Sequence, residues 1–239
     1  MDATRAKLFR CRKNELTHGN EKNWMAVIME NIPKADFLRV LDIGTGPGFF
    51  ATCLTKRGYD VTAVDYTEAM LCEARANAGE YNERIAFYRM DAQALDFPEE
   101  SFDAIVTRNL TWNLERPQDA YNSWCRVLRP GGIMLNFDAA WYSYLFDEEA
   151  AKRREQDQER VMQSGVKNFE AYSEGYLMEE MCRELILSRC RRPQIDVEML
   201  KTAGFSSVEV TPNIGERVYD ENEKINYENM PMFMLRAVK

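Results

Sequence analysis

The sequence predicts an α/β fold: a doubly wound, mostly parallel sheet of seven strands with a helical N-terminal cap and a helical insertion. Three observations lead there. Short apolar runs and helix-length segments alternate five times between residues 40 and 137, joined by short links. The first run ends in a glycine-rich turn that opens directly into a helix. Two more strand-like runs, 208–211 and 232–238, follow a helix that stops at Gly204.

Residues 2–32 read as one or two helices, broken at Gly19-Asn20 and ended by Pro33. Val40, Leu41 and Ile43 make a strand apolar enough to be buried on both faces. After the glycine turn, a helix runs from Phe49 to Arg57 and stops at Gly58. Residues 61–64 form the second strand, ending in Asp65, and Thr67 is expected to cap the next helix, which stops at Gly79. Residues 85–88 form the third strand, closing at Asp91. An exposed turn at 97–101 leads into strand four at 102–107. Pro117 suits the first turn of a helix reaching Val127, and Arg129-Pro130-Gly131-Gly132 turns into strand five at 133–137.

The alternation then stops. Residues 141–192 carry no clear strand, but have aromatics at 141, 142, 144, 146, 169, 172 and 176. Within them, 147–160 is nearly all charged, amide-bearing or small, as a solvated helix face is. An excursion this long between neighbouring elements reads as a lid. The expected organisation is a cap at 1–35, a ligand-binding domain from 36–140 and 193–239, and a lid at 141–192.

A hydrophobic content of 45% over 239 residues supports one substantial core. The net charge of −8 repels a polyphosphate backbone, so no nucleic-acid partner is expected. The cysteines at 11, 53, 72, 125, 182 and 190 form no C-x-x-C pair, and the chain has one histidine, so no metal site is expected. We read the set as reduced thiols of a cytoplasmic protein, with Cys53, Cys72 and Cys125 as small core residues. No signal-peptide run and no stretch of eighteen apolar residues occurs, so no membrane span is expected. Monomer and homodimer are equally compatible with the sequence.

The turn Gly44-Thr45-Gly46-Pro47-Gly48 is G-x-G-x-G, whereas the dinucleotide fingerprint places its third glycine one residue later. No phosphate-loop lysine follows it. Asp65 sits 21 residues after Gly44 at the tip of strand two, where an acid can accept both ribose hydroxyls of an adenosine. Asp42 and Asp91 end the flanking strands, and three acids on successive strand ends are more specific than any one.

The stretch from Asp42 to Gly48 resembles the first motif of class I S-adenosylmethionine-dependent methyltransferases. Met90-Asp91-Ala92, residues 101–109, Arg126–Gly132, and the segments 195–205 and 232–237 are similar to further stretches of that family. The likeness covers 36–138 and 193–239, and is nearest to the bacterial small-molecule group related to quinone-biosynthesis methyltransferases. It implies S-adenosylmethionine as cofactor, S-adenosylhomocysteine as product and a small-molecule acceptor. It also implies cofactor contacts from Asp42, Gly44, Thr45, Gly46 and Gly48, from Asp65 and Tyr66, from Asp91 and Ala92, and from Asn109. Marks of other methyltransferase groups are missing. After strand four stands Arg108-Asn109-Leu110-Thr111, which is neither the proline-rich run of base-amino enzymes nor the paired glutamates of protein-arginine enzymes. The cysteine spacing does not match arsenite enzymes.

Transfer from a sulfonium is a one-step displacement, so the protein must chiefly align and desolvate the acceptor. A hydroxyl or carbon acceptor also needs a base, for which Asp138, Tyr142 and His18 are the candidates. Trp24 and Trp112 either cover a ligand or pack the core. Arg191 and Arg192 either hold an anion at the rim or are solvated. Two other readings stay open: a nicotinamide-dependent oxidoreductase on a similar sheet, and a non-catalytic module that binds S-adenosylmethionine. The glycine spacing and Asp91 weigh against the first, the aromatic insertion against the second.

Overall fold

The computed structural model describes residues 20–35, 38–169 and 175–239. Strand β1 (Arg39–Ile43) lies mid-sheet, parallel to β2 (Asp60–Asp65) on one side and β4 (Phe102–Arg108) on the other. Parallel β3 (Ile85–Arg89) and β5 (Leu128–Asp138) extend the two halves. β7 (Phe233–Val238) pairs antiparallel with β5, and β6 (Ser207–Thr211) closes that edge antiparallel to β7. The order is β3-β2-β1-β4-β5-β7-β6, as a doubly wound sheet of seven strands requires. Winding reverses between β1 and β4, and the crevice above such a point is where open α/β sheets take ligands.

The apolar runs are continuous because both faces are covered. Val40 faces one core with Trp24, Phe49, Phe50 and Phe137, while Leu41 and Ile43 face the other with Tyr121 and Trp124. The first core is closed by α1 (Glu21–Asn31) and α2 (Phe49–Lys56), the second by α4 (Pro117–Val127) and α8 (Gln194–Thr202). Trp24, Met25, Val27 and Ile28 bury α1 in the domain core. The rest of the expected cap, with Cys11 and His18, lies outside the described residues, as does Tyr172.

Four local expectations need correction. Thr67 precedes α3 (Glu68–Ala78) but does not cap it; its hydroxyl donates instead to Asp65 Oδ1 at 3.0 Å. β5 begins at Leu128, because Leu128 pairs with Phe102 before the register shifts ahead of Ala104. Cys72 is exposed, whereas Cys53 and Cys125 are buried. Between β6 and β7 lie two short helices, α9 (Gly215–Val218) and α10 (Glu221–Tyr227), where the sequence reading assigned nothing. The second starts in a capping box between Asp220 and Glu223.

The insertion is helical. It holds α5 (Glu148–Ser164), α6 (Gly175–Glu184) and α7 (Ile186–Arg189). The Asp147 carboxylate caps α5, accepting from the Ala150 amide at 2.8 Å. One face of α5 is solvated, as expected. The other holds the β6–β7 connection: buried Asp157 accepts from the Asn229 amide at 3.2 Å and from Asn229 Nδ2 at 2.9 Å.

The insertion returns to the sheet through a buried ion pair. Arg192, expected at the rim or in solvent, has a side chain only 1% exposed. It donates to Asp196 at 2.9 Å, to Asp138 Oδ2 at 3.2 Å, to Thr111 Oγ1 at 2.6 Å and to the Ala139 carbonyl at 3.1 Å. Tyr121 donates to Asp196 at 2.6 Å. Burial alone would lower the arginine pKa, but Asp138 and Asp196 more than offset it and the net shift is upward. Arg192→Met would strand two buried carboxylates, a loss of about 3–5 kcal/mol. Urea denaturation of the variant is expected to show a loss of this size; a loss under about 1 kcal/mol would mean that the pair does not anchor the insertion.

Candidate functional site

Gly44, Gly46 and Gly48 all have left-handed backbones, with φ of 68°, 53° and 86°. They are glycine for different reasons. A Cβ at Gly48 would lie 2.9 Å from the Ala74 Cβ, and one at Gly44 would lie 3.0 Å from Leu110. A Cβ at Gly46 meets nothing within 4 Å. The outer glycines admit neighbouring elements; the middle one faces open space. The Gly44 and Thr45 amides donate to the Val64 carbonyl at 2.9 and 3.0 Å, which ties the turn to β2.

Asp42 holds the turn from within. Only 2% exposed, its Oδ2 accepts from Thr45 Oγ1 at 2.7 Å and from the Ala51 amide at 3.0 Å. Ala51 is the third residue of α2, whose N-cap is Gly48 and lacks a capping side chain. Asp42 therefore caps the helix from the preceding strand and sets its charge at the positive end of the dipole.

Asp65 stands beside it at the tip of β2. Its Oδ2 accepts from the Gly46 amide at 3.0 Å, and its Oδ1 accepts from the Thr67 amide at 2.9 Å. Tyr66 follows, half-buried, its carbonyl fixed by Arg89 Nε at 3.1 Å. Asp91, beyond the end of β3, is half-buried and accepts from the Gln93 amide at 2.9 Å. The Ala92 carbonyl accepts from the Trp124 indole at 2.8 Å. Asn109, just past β4, is left-handed at φ 53° and donates its amide to the Phe137 carbonyl at 2.8 Å. Its side-chain oxygen is buried without a hydrogen-bond partner. The turn, Asp42, Asp65 and the 108–110 corner form one contiguous site; Asp91 bonds within its own loop next to it.

Sequence reasoning missed Arg108. Its guanidinium lies 4.9, 5.0 and 5.2 Å from the ring centres of Trp24, Phe49 and Phe50. Trp24 is thus a core residue under a cation, at 2% exposure. The only sequence signal was a charge closing an apolar strand.

Asp138 is removed from the candidate bases. Fully buried at the tip of β5, it accepts from Thr111 Oγ1 at 2.5 Å, the Trp112 amide at 2.9 Å, the Ala139 amide at 2.8 Å, the Trp141 indole at 2.9 Å, and Arg192. Five donors leave it no role in taking a proton. Tyr142 is half-buried and lies in a series of rings, 5.0 Å from Trp112 and 5.8 Å from Tyr144 between centres. The Trp112 indole donates to the Asn109 carbonyl at 3.0 Å, so this series begins at the β4 corner. His18 lies outside the described residues. Among the described residues no cluster could hold a metal ion, and no helix is long and apolar enough to cross a membrane.

Residues 41–136 match the family model described as a methyltransferase domain. Over that segment the chain is similar to methyltransferase domains. Among its relatives is the ubiquinone/menaquinone biosynthesis C-methyltransferase of Paracoccus denitrificans, 36% identical over 127 residues, which cover 51% of each chain. Another is the ubiquinone biosynthesis O-methyltransferase of Alkalilimnicola ehrlichii, 32% identical over 111 residues and 45% of each chain. The chain spans about half the length of the curated relatives it matches. In fold it is similar to a Haemonchus contortus phosphoethanolamine N-methyltransferase, solved with S-adenosylhomocysteine, at TM-score 0.62 and 20% identity over 91% of this chain and 52% of that one. The glycine-rich turn described above falls inside the matched segment.

Burial pushes the Asp42 carboxyl up to about 6, against the pull of Thr45, Ala51 and Arg108. In the unfolded chain an aspartate titrates near ~3.9. Between about pH 4 and 6 the folded state thus keeps a proton that the unfolded state has released, and stability falls as pH rises through that window. Asp42→Asn keeps an acceptor and removes the titration. Its stability relative to wild type should rise by on the order of 3 kcal/mol between pH 4 and pH 7. Asp65, also raised chiefly by burial, is present in both proteins. Urea titrations of both proteins at the two pH values measure it, and a flat difference would refute the assignment.

Proposed function

We propose that this protein transfers a methyl group from S-adenosylmethionine to a small-molecule acceptor by direct displacement. The observation that carries the reading is Gly46: a left-handed residue over open space, its amide oriented by Asp65, between two glycines whose neighbours explain them. A cofactor lying on bare backbone fits such a cradle. The unpartnered Asn109 oxygen is a second fit, an acceptor suited to an ammonium group.

When bound, the cofactor supplies a methyl group already activated on a sulfonium, so no protein nucleophile is required. Asp65, held by Gly46 and Thr67, presents a carboxylate to the ribose hydroxyls, with Tyr66 alongside. Asp91 and Ala92 serve the adenine. Gly44, Thr45 and Gly48 shape the cradle. Asp42 acts through Thr45 and Ala51, fixing the turn and lending it negative charge opposite a cationic ligand. On the acceptor side, Trp112 and Tyr142 offer ring faces, and the described residues of the insertion, 141–169 and 175–192, form the wall that excludes water. Tyr142 is our candidate for proton removal. The relatives named above methylate carbon, oxygen and nitrogen by their names, which supports a sheet that fixes the cofactor and a variable wall that chooses the atom.

S-adenosylhomocysteine is expected to raise the melting temperature and NAD to leave it unchanged. At a hundredfold excess over Kd the stabilisation is about 2.7 kcal/mol. For a domain of this size that corresponds to roughly 5–10 °C. A shift with NAD and none with S-adenosylhomocysteine would reverse the reading.

Asp65→Asn keeps an acceptor for Gly46 or Thr67 but gives up the charge. It should weaken S-adenosylhomocysteine binding by about 1.5–3 kcal/mol. Glu99→Gln, in an exposed turn, is the control. Calorimetry giving one affinity for all three proteins would take Asp65 out of the site.

A further inference from the structure

The Gln93 side chain bridges the loop after β3 to the start of α4. Its Nε2 donates to Asp91 Oδ1 at 3.2 Å, with a longer contact to Oδ2 at 3.5 Å, and its Oε1 accepts from the Arg116 amide at 2.6 Å. A backbone N–H can only donate, so the Gln93 oxygen must face Arg116 and the Gln93 NH2 must face Asp91. We propose that Gln93 is the positioning residue for Asp91, and that it gives the cofactor site its preference for adenine over a base carrying a carbonyl in place of the amino group. The proposal rests on the methyl-transfer reading, in which Asp91 meets the adenine.

The two oxygens of Asp91 are not equivalent. Oδ1 is occupied: it accepts from the Gln93 amide at 2.9 Å as well as from Gln93 Nε2. Among the described residues, Oδ2 meets only the longer Gln93 contact. An ionised carboxylate accepts and cannot donate. Oδ2 therefore takes a hydrogen bond from an exocyclic amino group and repels a carbonyl oxygen at the same place. That discrimination lasts only while Oδ2 keeps its direction. Asp91 is half-buried, and without a brace its side chain is free to turn towards solvent.

The brace is anchored in rigid structure. Arg116 is the N-cap residue of α4, so its amide is fixed relative to that helix. The same helix pins the loop on either side of Gln93: the Trp124 indole donates to the Ala92 carbonyl at 2.8 Å, and the Leu95 amide donates to Ser123 Oγ at 3.0 Å. The turn itself does not need the Gln93 side chain. Backbone amides already close it, from Gln93 to Asp91 Oδ1 and from Ala94 to the Asp91 carbonyl at 3.0 Å. What the side chain adds is a direction for the Asp91 carboxylate, referred to α4.

The test uses the full chain, titrated by calorimetry with S-adenosylhomocysteine and with S-inosylhomocysteine, which carries a carbonyl where the first has the amino group. Wild type is expected to prefer S-adenosylhomocysteine by about tenfold or more, because the wrong base leaves the carboxylate facing an oxygen. Gln93→Met, similar in length but with neither amide group, should cut that ratio by about fivefold or more, chiefly through weaker S-adenosylhomocysteine binding. Gln93→Glu keeps an acceptor for Arg116 and sets a negative charge against Asp91, so the ratio should fall at least as far. Thermal melting shows which variants are folded, and either one alone decides the question. A merely structural brace would weaken both ligands alike, so the ratio is the discriminating readout. An unchanged ratio in a folded variant, an equal loss for both ligands, or a wild type that binds the two equally would overturn the proposal and leave the methyl-transfer reading standing. Failure of wild type to bind S-adenosylhomocysteine at all would strike that reading, and the proposal with it.

Discussion

Asp42 Oδ2 accepts the Thr45 hydroxyl and the Ala51 amide together, at 2.7 and 3.0 Å, and the rest of the site hangs on those two bonds. The constraint begins at Gly48. That residue must be glycine because α3 passes 2.9 Å from where its Cβ would be, so α2 starts with no capping side chain of its own. An uncapped, buried helix start leaves orphan amides. The strand that feeds the turn supplies the missing acceptor, and the same oxygen fixes Thr45 inside the turn. Strand, turn and helix become one unit, with the Gly46 amide left facing Asp65 and the Gly46 Cα left facing open space.

The opposite end of the crevice is solved differently. Asp138 ends β5 as Asp42 nearly ends β1, and both are buried. Asp42 has hydroxyl and amide donors, and burial raises its pKa. Asp138 has a guanidinium as well, which brings the returning insertion down onto the strand tip. A carboxylate saturated in this way is an anchor and cannot also be a base. The proton-handling group, where the acceptor needs one, must come from the wall that the anchor positions. On the proposed reading the sheet separates its tasks: a fixed floor for the cofactor at β1, β2 and β4, and a pinned attachment for the acceptor wall at β5.

The floor was legible in the sequence because every part of it is local. Alternating apolar runs, G-x-G-x-G and acids at strand ends each lie within a few residues of the backbone they shape, and helix α4 matched its expected bounds of Pro117 and Val127. The wall was not legible because its bonds are long-range. Arg192 meets Asp138 across 54 residues and Thr111 across 81, and no spacing rule links such positions. In place of the Thr67 cap, the residue gives both its hydroxyl and its amide to Asp65 Oδ1, a contact to the preceding strand tip and not to the helix that follows. The α10 capping box was present as Asp220-Glu221-Asn222-Glu223, but a helix of seven residues has too little periodicity to be read.

The charge of the whole chain and the charge of the site answer different questions. At −8 the surface as a whole repels a polyanion, whose many phosphates feel the summed field. A single small anion inside a cavity feels only what lies within a Debye length, about 8 Å at physiological salt. Inside this protein the nearest charges are spent on one another: Glu228 is matched by Arg160, and Arg192 by Asp138 and Asp196, so the local field at the returning insertion is set by pairs and not by the net charge of the chain.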